Sequence, residues 1–335
     1  MASLPAVEEL DPARFAELIV DRDEPAVFRG LVSGWRAVAA ARSSIDRLAE
    51  YLIALDSGAN VRAFVGDPGA GGRFFYNEAL DGFNFTIAET RFAQLISTLI
   101  QFEREGTRQP IYMGSTSTSE ILSGFSAENP LGPIEQRGGK PRIWIGNGSR
   151  IAPHFDESDN VACVVSGRRQ FTLFATDQVG NLYVGPLDRT PAGQPTSLVD
   201  MAAPDLERFP RFREALKHAR STELEPGDAI YIPALWWHGV ESIGPLNVLV
   251  NYWWQDEDRD ADSPLHAIAH GLLSIGHLHD RKRDRWRTLF DHYVFRANGN
   301  PALHIPEQAR GVLGKPTSEL RQFISRFLVQ KLMGR

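Results

Sequence analysis

The chain of 335 residues suits one large domain or two smaller ones, and its 42% hydrophobic content is enough for a sizeable core. With 36 Lys and Arg against 42 Asp and Glu, the net charge of -6 disfavours a general basic surface for nucleic acid. The first residues have no basic and apolar leader pattern, no apolar run is long enough to span a bilayer, and Cys163 is the only cysteine, so a protein without disulfides in a reducing cytoplasm is expected.

In chain order, Asp11-Pro12 opens a short helix to Ile19, with Asp at the cap and Pro at the first helical position. Pro25 to Gly30 reads as a strand, and Ser43 or Ser44 caps an amphipathic helix through Leu55. Val61 to Val65 and Arg73 to Tyr76 read as strands around Gly66-Asp-Pro-Gly-Ala-Gly-Gly72. That glycine run has no Lys-Ser/Thr ending and no helix after it, so a hairpin connection is expected, not a phosphate loop. Residues 88–105 carry Phe92, Leu95, Ile96, Leu99 and Ile100 at helical spacing, which predicts a core-facing helix. Ile111 to Met113 is a short strand, and Ser115 to Ser119 offers caps for a helix from Glu120 to Phe125.

From Arg142 the texture changes to short strands split by Gly, Pro and Asn: 142–145, 151–156, 160–166, 169–174, 229–233, 237–242 and 246–254. This pattern predicts a mainly β fold, a sandwich or barrel, interrupted by a helix over about 205–218 that would lie near the mouth of any site. Beyond residue 260 the strands stop. Leu265 to Ile275, Trp286 to Phe295 and Leu320 to Leu332 read as amphipathic helices. The expected division is 1–258 as the main domain with N-terminal α/β elements, and 259–335 as a helical region that packs on the barrel or on a second copy in a homodimer.

Two stretches carry chemistry, Ile151-Ala-Pro-His154-Phe-Asp156 and Trp236-Trp-His238-Gly. On a strand, residues two apart share a face, so His154 and Asp156 are expected to point the same way toward one metal ion. His238 supplies a third ligand. Two His and one carboxylate with positions left open is the ligand set of non-haem Fe(II) oxygenases. His266 and His270 stand four apart, with His277 and His279 beyond them. No carboxylate of suitable spacing joins them, and a polar helix face or subunit contact is expected.

With these motifs in order, Pro110 to Trp254 resembles the cupin-type JmjC oxygenases, and in texture is similar to the factor-inhibiting-HIF type of asparaginyl hydroxylase. The residues that carry the resemblance are His154-Phe-Asp156-Glu, Asn160, Gly167-Arg-Arg169, Pro226-Gly-Asp-Ala-Ile-Tyr-Ile-Pro233, Trp236-Trp-His238 and Asn251-Tyr-Trp253. The resemblance implies a double-stranded β-helix (jelly-roll, cupin) barrel with Fe(II), 2-oxoglutarate and O2, hydroxylating a carbon of an acceptor, most of all a protein or peptide. It places His154, Asp156 and His238 on the metal, and Arg169 on the distal carboxylate of 2-oxoglutarate, where a guanidinium suits a dianion. It also sets Tyr112 beside that carboxylate, Asn160 and Asn251 near cosubstrate and iron, and Trp253 in the acceptor groove. Ile151 stands where a threonine touches the cosubstrate in the hydroxylase, and Gln194 falls in a loop that contacts substrate there.

Other functions stay open at this point. One is a Zn or Mn cupin with isomerase or hydrolase chemistry, and another is a barrel that only binds a protein. Within the oxygenases, a small molecule, tRNA or an N-methyl group are further acceptors.

Overall fold

The computed structural model describes residues 4–191, 193–255 and 263–334. The chain separates into two compact units, Met1–Asp256 and Glu257–Arg335, each described by itself. The boundary expected at 258/259 lies outside the described residues.

Among the described residues the first unit has eleven strands: β1 Glu8–Glu9, β2 Ala26–Phe28, β3 Asn60–Gly66, β4 Phe85–Arg91, β5 Ile111–Ser117, β6 Lys140–Gly146, β7 Arg150–His154, β8 Asp159–Phe174, β9 Arg220–Leu224, β10 Ala229–Ile232 and β11 Trp237–Trp254. They connect in the order β1-β2-β10-β8-β11-β6-β5-β3-β4, with β7 on β11 and β9 on β8. The β8–β11 ladder breaks register between Ile243 and Val248. There the two long strands bend and pass from one sheet to the other, which closes the jelly-roll that the family resemblance implied. The first half of β8 and the second half of β11 belong to the large sheet with β10 and β6. Their other halves form a small sheet with β9 and β7.

Gly167 makes the bend in β8. Its φ is +73°, and a Cβ there would lie 2.1 Å from Asn247 Oδ1. Both backbone strain and overlap therefore exclude a side chain. Gly167→Ala is expected to destabilise the protein by roughly 2–4 kcal/mol, read as a lower urea midpoint at unchanged slope.

Alternation along the large sheet separates core from cavity. Ile143 and Ile145, Val161, Cys163 and Val165, and Val248, Val250 and Tyr252 face a core shared with the helices Ile45–Ala54 and Phe92–Glu105. Each fully buried Leu or Ile there is worth about 1.5–3 kcal/mol. Trp144, Ala162, Leu249, Asn251 and Trp253 face the space between the sheets. Cys163 is buried, and burial pushes its thiol up, so it is an inert core residue.

Several expected elements differ. Residues 73–76 make isolated bridges, not a strand, because the Asn84 side chain takes ladder positions: Phe75 N–H donates to Asn84 Oδ1 and Asn84 Nδ2 donates to the Arg73 carbonyl. The partner of β3 is instead β4, so the helix expected from Ala88 starts at Phe92. Of the helix expected over 205–218 only Phe212–His218 forms, since the Asp205 carboxylate holds a turn before Pro210. Glu120–Phe125 is replaced by two helical turns, Thr118–Ile121 and Phe125–Glu128.

The second unit contains the helices Pro264–Gly271, Asp280–Tyr293 and Ser318–Met333, and none of their residues is buried. Among the described residues no helix is long and apolar enough to cross a membrane.

Candidate metal centre

His154 ends β7 and His238 lies directly opposite it near the start of β11. Their rings are 4.3 Å apart. The strand expected through Asp156 stops at His154, so pleat alternation does not set the carboxylate. A turn does, held where Leu235 N–H donates to the Asp156 carbonyl at 2.8 Å. One ligand atom from each of His154, Asp156 and His238 lies within 4.8 Å of the others, the only such convergence of three among the described residues. Among the described residues, the helical histidines of the second unit form no comparable group with carboxylates.

Both imidazoles are preset for a metal. His154 Nδ1 is 3.0 Å from the Ala152 carbonyl and His238 Nδ1 is 3.1 Å from the Trp236 carbonyl. A carbonyl only accepts, so each Nδ1 carries the proton and each Nε2 keeps its lone pair for a ligand bond. His238 is 4% exposed. Burial first, then the neighbouring His154, brings its imidazole down to about 4. The unfolded imidazole titrates near 6.5, so on acidification the unfolded chain takes up the proton first. That part of the stability is complete above pH 6.5 and is lost as pH falls toward 4. Metal-free protein is expected to lose urea resistance across that window, and His238→Gln to flatten the dependence.

Asp156 is held by a chain of donors. Trp253 Nε1–H donates to Asp156 Oδ2 at 3.0 Å, and Asn160 Nδ2 donates to the same oxygen at 3.4 Å. Asn251 Nδ2 donates to Asn160 Oδ1 at 3.3 Å, and Trp144 Nε1–H donates to Asn251 Oδ1 at 2.8 Å. These side chains orient the carboxylate, and the oxygen they hold, Oδ2, lies 3.7 Å from His238 Nε2. The resemblance put Asn160 and Asn251 near the cosubstrate and Trp253 in the acceptor groove. All three line the cavity, and together they brace the carboxylate.

The cavity has a volume of about 200 Å³. Arg169, at the start of the second half of β8, lines it while only 1% exposed. Its Nε and one terminal nitrogen have no hydrogen-bond partner. Burial lowers its pKa, opposed by Tyr112, but a guanidinium keeps its charge in a protein. Burial pushes the Tyr112 hydroxyl up to about 12, so it stays protonated as a donor. A buried cation with idle donors is costly unless an anion meets it. This site therefore fits a carboxylate-bearing ligand beside a metal.

The remaining wall is aromatic. Phe64, Phe74 and Phe85 join Tyr112 and Trp144, with Phe64 and Phe85 centroids 4.9 Å apart and Tyr112 stacked on Trp144 at 5.9 Å. Sequence reasoning left out these Phe residues and Trp144. The period-2 parity of Trp144 against Ile143 and Ile145 was the available signal for that tryptophan. Ile151 also lines the cavity, as does Gln194, whose Oε1 is buried without a partner.

Residues 12–260 match the family described as Cupin-like domain. The chain is 35% identical over 142 residues to HSPB1-associated protein 1 of Homo sapiens, a match covering 41% of this chain and 28% of that protein. It is 35% identical over 134 residues to Lysine-specific demethylase JMJ31 of Arabidopsis thaliana, covering 40% of this chain and 24% of that protein. Over 112 residues it is 31% identical to Lysine-specific demethylase 8 of Xenopus tropicalis, covering 33% and 24%. In each case the match spans less than a third of the relative's own length.

Proposed function

The chain belongs to the cupin-like domain family, of JmjC type, and from that premise we propose that it is an Fe(II)- and 2-oxoglutarate-dependent oxygenase that hydroxylates a C–H of an acceptor, most of all a protein side chain. One observation carries the reading: three convergent metal-ligand side chains share a cavity with a buried guanidinium, two of whose nitrogens have no hydrogen-bond partner. A Zn or Mn cupin of isomerase or hydrolase type needs no cation to hold a keto acid.

When bound, iron with 2-oxoglutarate and O2 supplies an oxidant that places one oxygen atom on the acceptor carbon, while the keto acid leaves as CO2 and succinate. His154, Asp156 and His238 hold the metal and take no part in proton transfer. Arg169 pairs with the distal carboxylate of 2-oxoglutarate through its two idle nitrogens, and the Tyr112 hydroxyl donates to the same group. Trp253 and Asn160 keep Asp156 from rotating. The aromatic wall excludes water and confines the acceptor. An acceptor methyl on nitrogen would be hydroxylated and then lost, which is the demethylation outcome of the same chemistry.

The test is succinate formation from 2-oxoglutarate by protein loaded with Fe(II), with Zn(II)-loaded protein as control. Stimulation by a peptide pool, with label from 18O2 in a peptide, is the expected result. Metal uptake without any succinate under all these conditions would move the assignment to a non-oxygenase cupin.

The second unit supports a homodimer in this reading. Leu272, Leu273, Phe323, Phe327 and Leu332 are all exposed on it, an apolar surface that favours association with a second copy. Light scattering at micromolar concentration is expected to give twice the 37.3 kDa chain mass. A monomer mass would remove the dimer from the proposal. The inert Cys163 suits a reducing cytoplasm.

A further inference from the structure

An open sheet edge lies beside the cavity. Among the described residues the other edges are closed or short. The outer edge of β7 meets Gly72 and Ser197, through Arg150 N–H to the Gly72 carbonyl and Ser197 N–H to the Pro153 carbonyl. The outer edge of β9 is paired by Pro5 and Val7 on either side of Ser221. The far strand of the large sheet, β1, has two residues. At the opposite end β4 runs seven residues in unbroken register with β3, and Thr86 to Glu89 are exposed. Proteins usually blunt such an edge with Pro, Lys, a bulge or a cover. β4, Phe-Thr-Ile-Ala-Glu-Thr-Arg, contains no Pro or Lys and no bulge.

The free groups can be assigned. Gly66 N–H points toward the β5 side, donating to the Pro110 carbonyl. Alternation then turns the backbone groups of Val65, Ala63 and Val61 toward β4, where they meet Thr86, Ala88 and Thr90. The N–H and C=O groups of Phe85, Ile87 and Glu89 therefore point outward. A regular row of alternating donors and acceptors matches one kind of ligand, another extended backbone.

Phe85, the first residue of this edge, also lines the cavity, as does Phe64, directly opposite Ile87 on β3. We propose that the outer edge of β4 binds an extended segment of a polypeptide acceptor as an added strand. The inference rests on the oxygenase reading above and narrows it to acceptors that are extended where they bind. An added strand lies about 4.8 Å from β4, and every second side chain falls on the face shared by Phe64 and Phe85. Selection on this rail comes from the side chain that enters the cavity, since the backbone pairing accepts most sequences.

The experiment loads the native protein with Mn(II) and 2-oxoglutarate and selects from a phage-displayed pool of random dodecapeptides. Selected peptides are expected to slow amide exchange at Ile87 and Glu89 in the native protein. Ile87→Pro removes one outward N–H and spares the β3 ladder, as proline is tolerated on edge strands. It is expected to weaken peptide binding roughly fivefold or more, the worth of one backbone hydrogen bond, with Mn(II) and 2-oxoglutarate binding unchanged. Selection of no peptide, or peptides that leave both amides unprotected, would overturn the proposal. Protection that appears without peptide and rises with protein concentration would overturn it in favour of a second copy. Intact Mn(II) and 2-oxoglutarate binding in the same samples leaves the oxygenase reading standing in each case, and loss of both would count against that reading instead.

Discussion

His154→Ala is expected to abolish uptake of Fe(II) or Mn(II) at concentrations that saturate the native protein, with affinity lower by more than about a hundredfold. Even groups that only orient a metal ligand are worth roughly 10–100-fold, and this substitution removes a ligand. Asp156 and His238 remain, but two groups hold a divalent ion poorly, and His238 Nε2 and Asp156 Oδ2 are already 3.7 Å apart in a fixed arrangement that cannot close around the gap. His154 is half-buried at a strand end, so the circular dichroism spectrum should not change. Anaerobic titration calorimetry with Fe(II), or Mn(II) magnetic resonance, reads the result. Affinity within a few fold of native would place the metal elsewhere and remove the basis of the oxygenase assignment.

Arg169→Leu has the second largest expected effect, and its two consequences have opposite signs. The concentration of 2-oxoglutarate needed to half-saturate the metal-loaded protein should rise by about a hundredfold, since removing one partner of a buried charged pair costs 2–5 kcal/mol. The metal-free protein should become more stable, because a guanidinium 1% exposed with Nε and one terminal nitrogen unpartnered is replaced by an apolar side chain of smaller volume. A rise in urea midpoint with loss of cosubstrate affinity would show that the cation is kept for its ligand. A fall in midpoint would mean that Arg169 serves the fold. Arg169→Lys should fall between, as an ammonium restores charge without the two-pronged geometry.

The candidate ligand residues were legible early because their signals are local. His154 and Asp156 stand two apart, His238 follows a Pro-Gly-Asp turn and a short apolar strand, and the surrounding motifs keep family order. The parity that separates Ile143 and Ile145 from Trp144 was present too. The strand of residues 73–76 failed for a physical reason: the Asn84 amide imitates a neighbouring strand, and nothing near it in the chain announces that long-range substitution. The same loss of context hid β4, whose Thr and Ile are β-formers placed just before a strong helical pattern.

Turn chemistry and periodicity by themselves pointed to a β sandwich or barrel, to three candidate metal ligands and to a helical C-terminal region, and motif resemblance narrowed the barrel to a jelly-roll, since each depends on residues close in the chain or on a motif complete in itself. Tertiary structure alone decided that Asp156 is braced from Trp144 through Asn251 and Asn160, that Arg169 ends buried with idle donors, and that β4 is left as an open edge. Those features depend on strand register and sheet order. Both are settled when strands far apart in the chain pair and shut water out between the sheets, and no short stretch of residues carries that information.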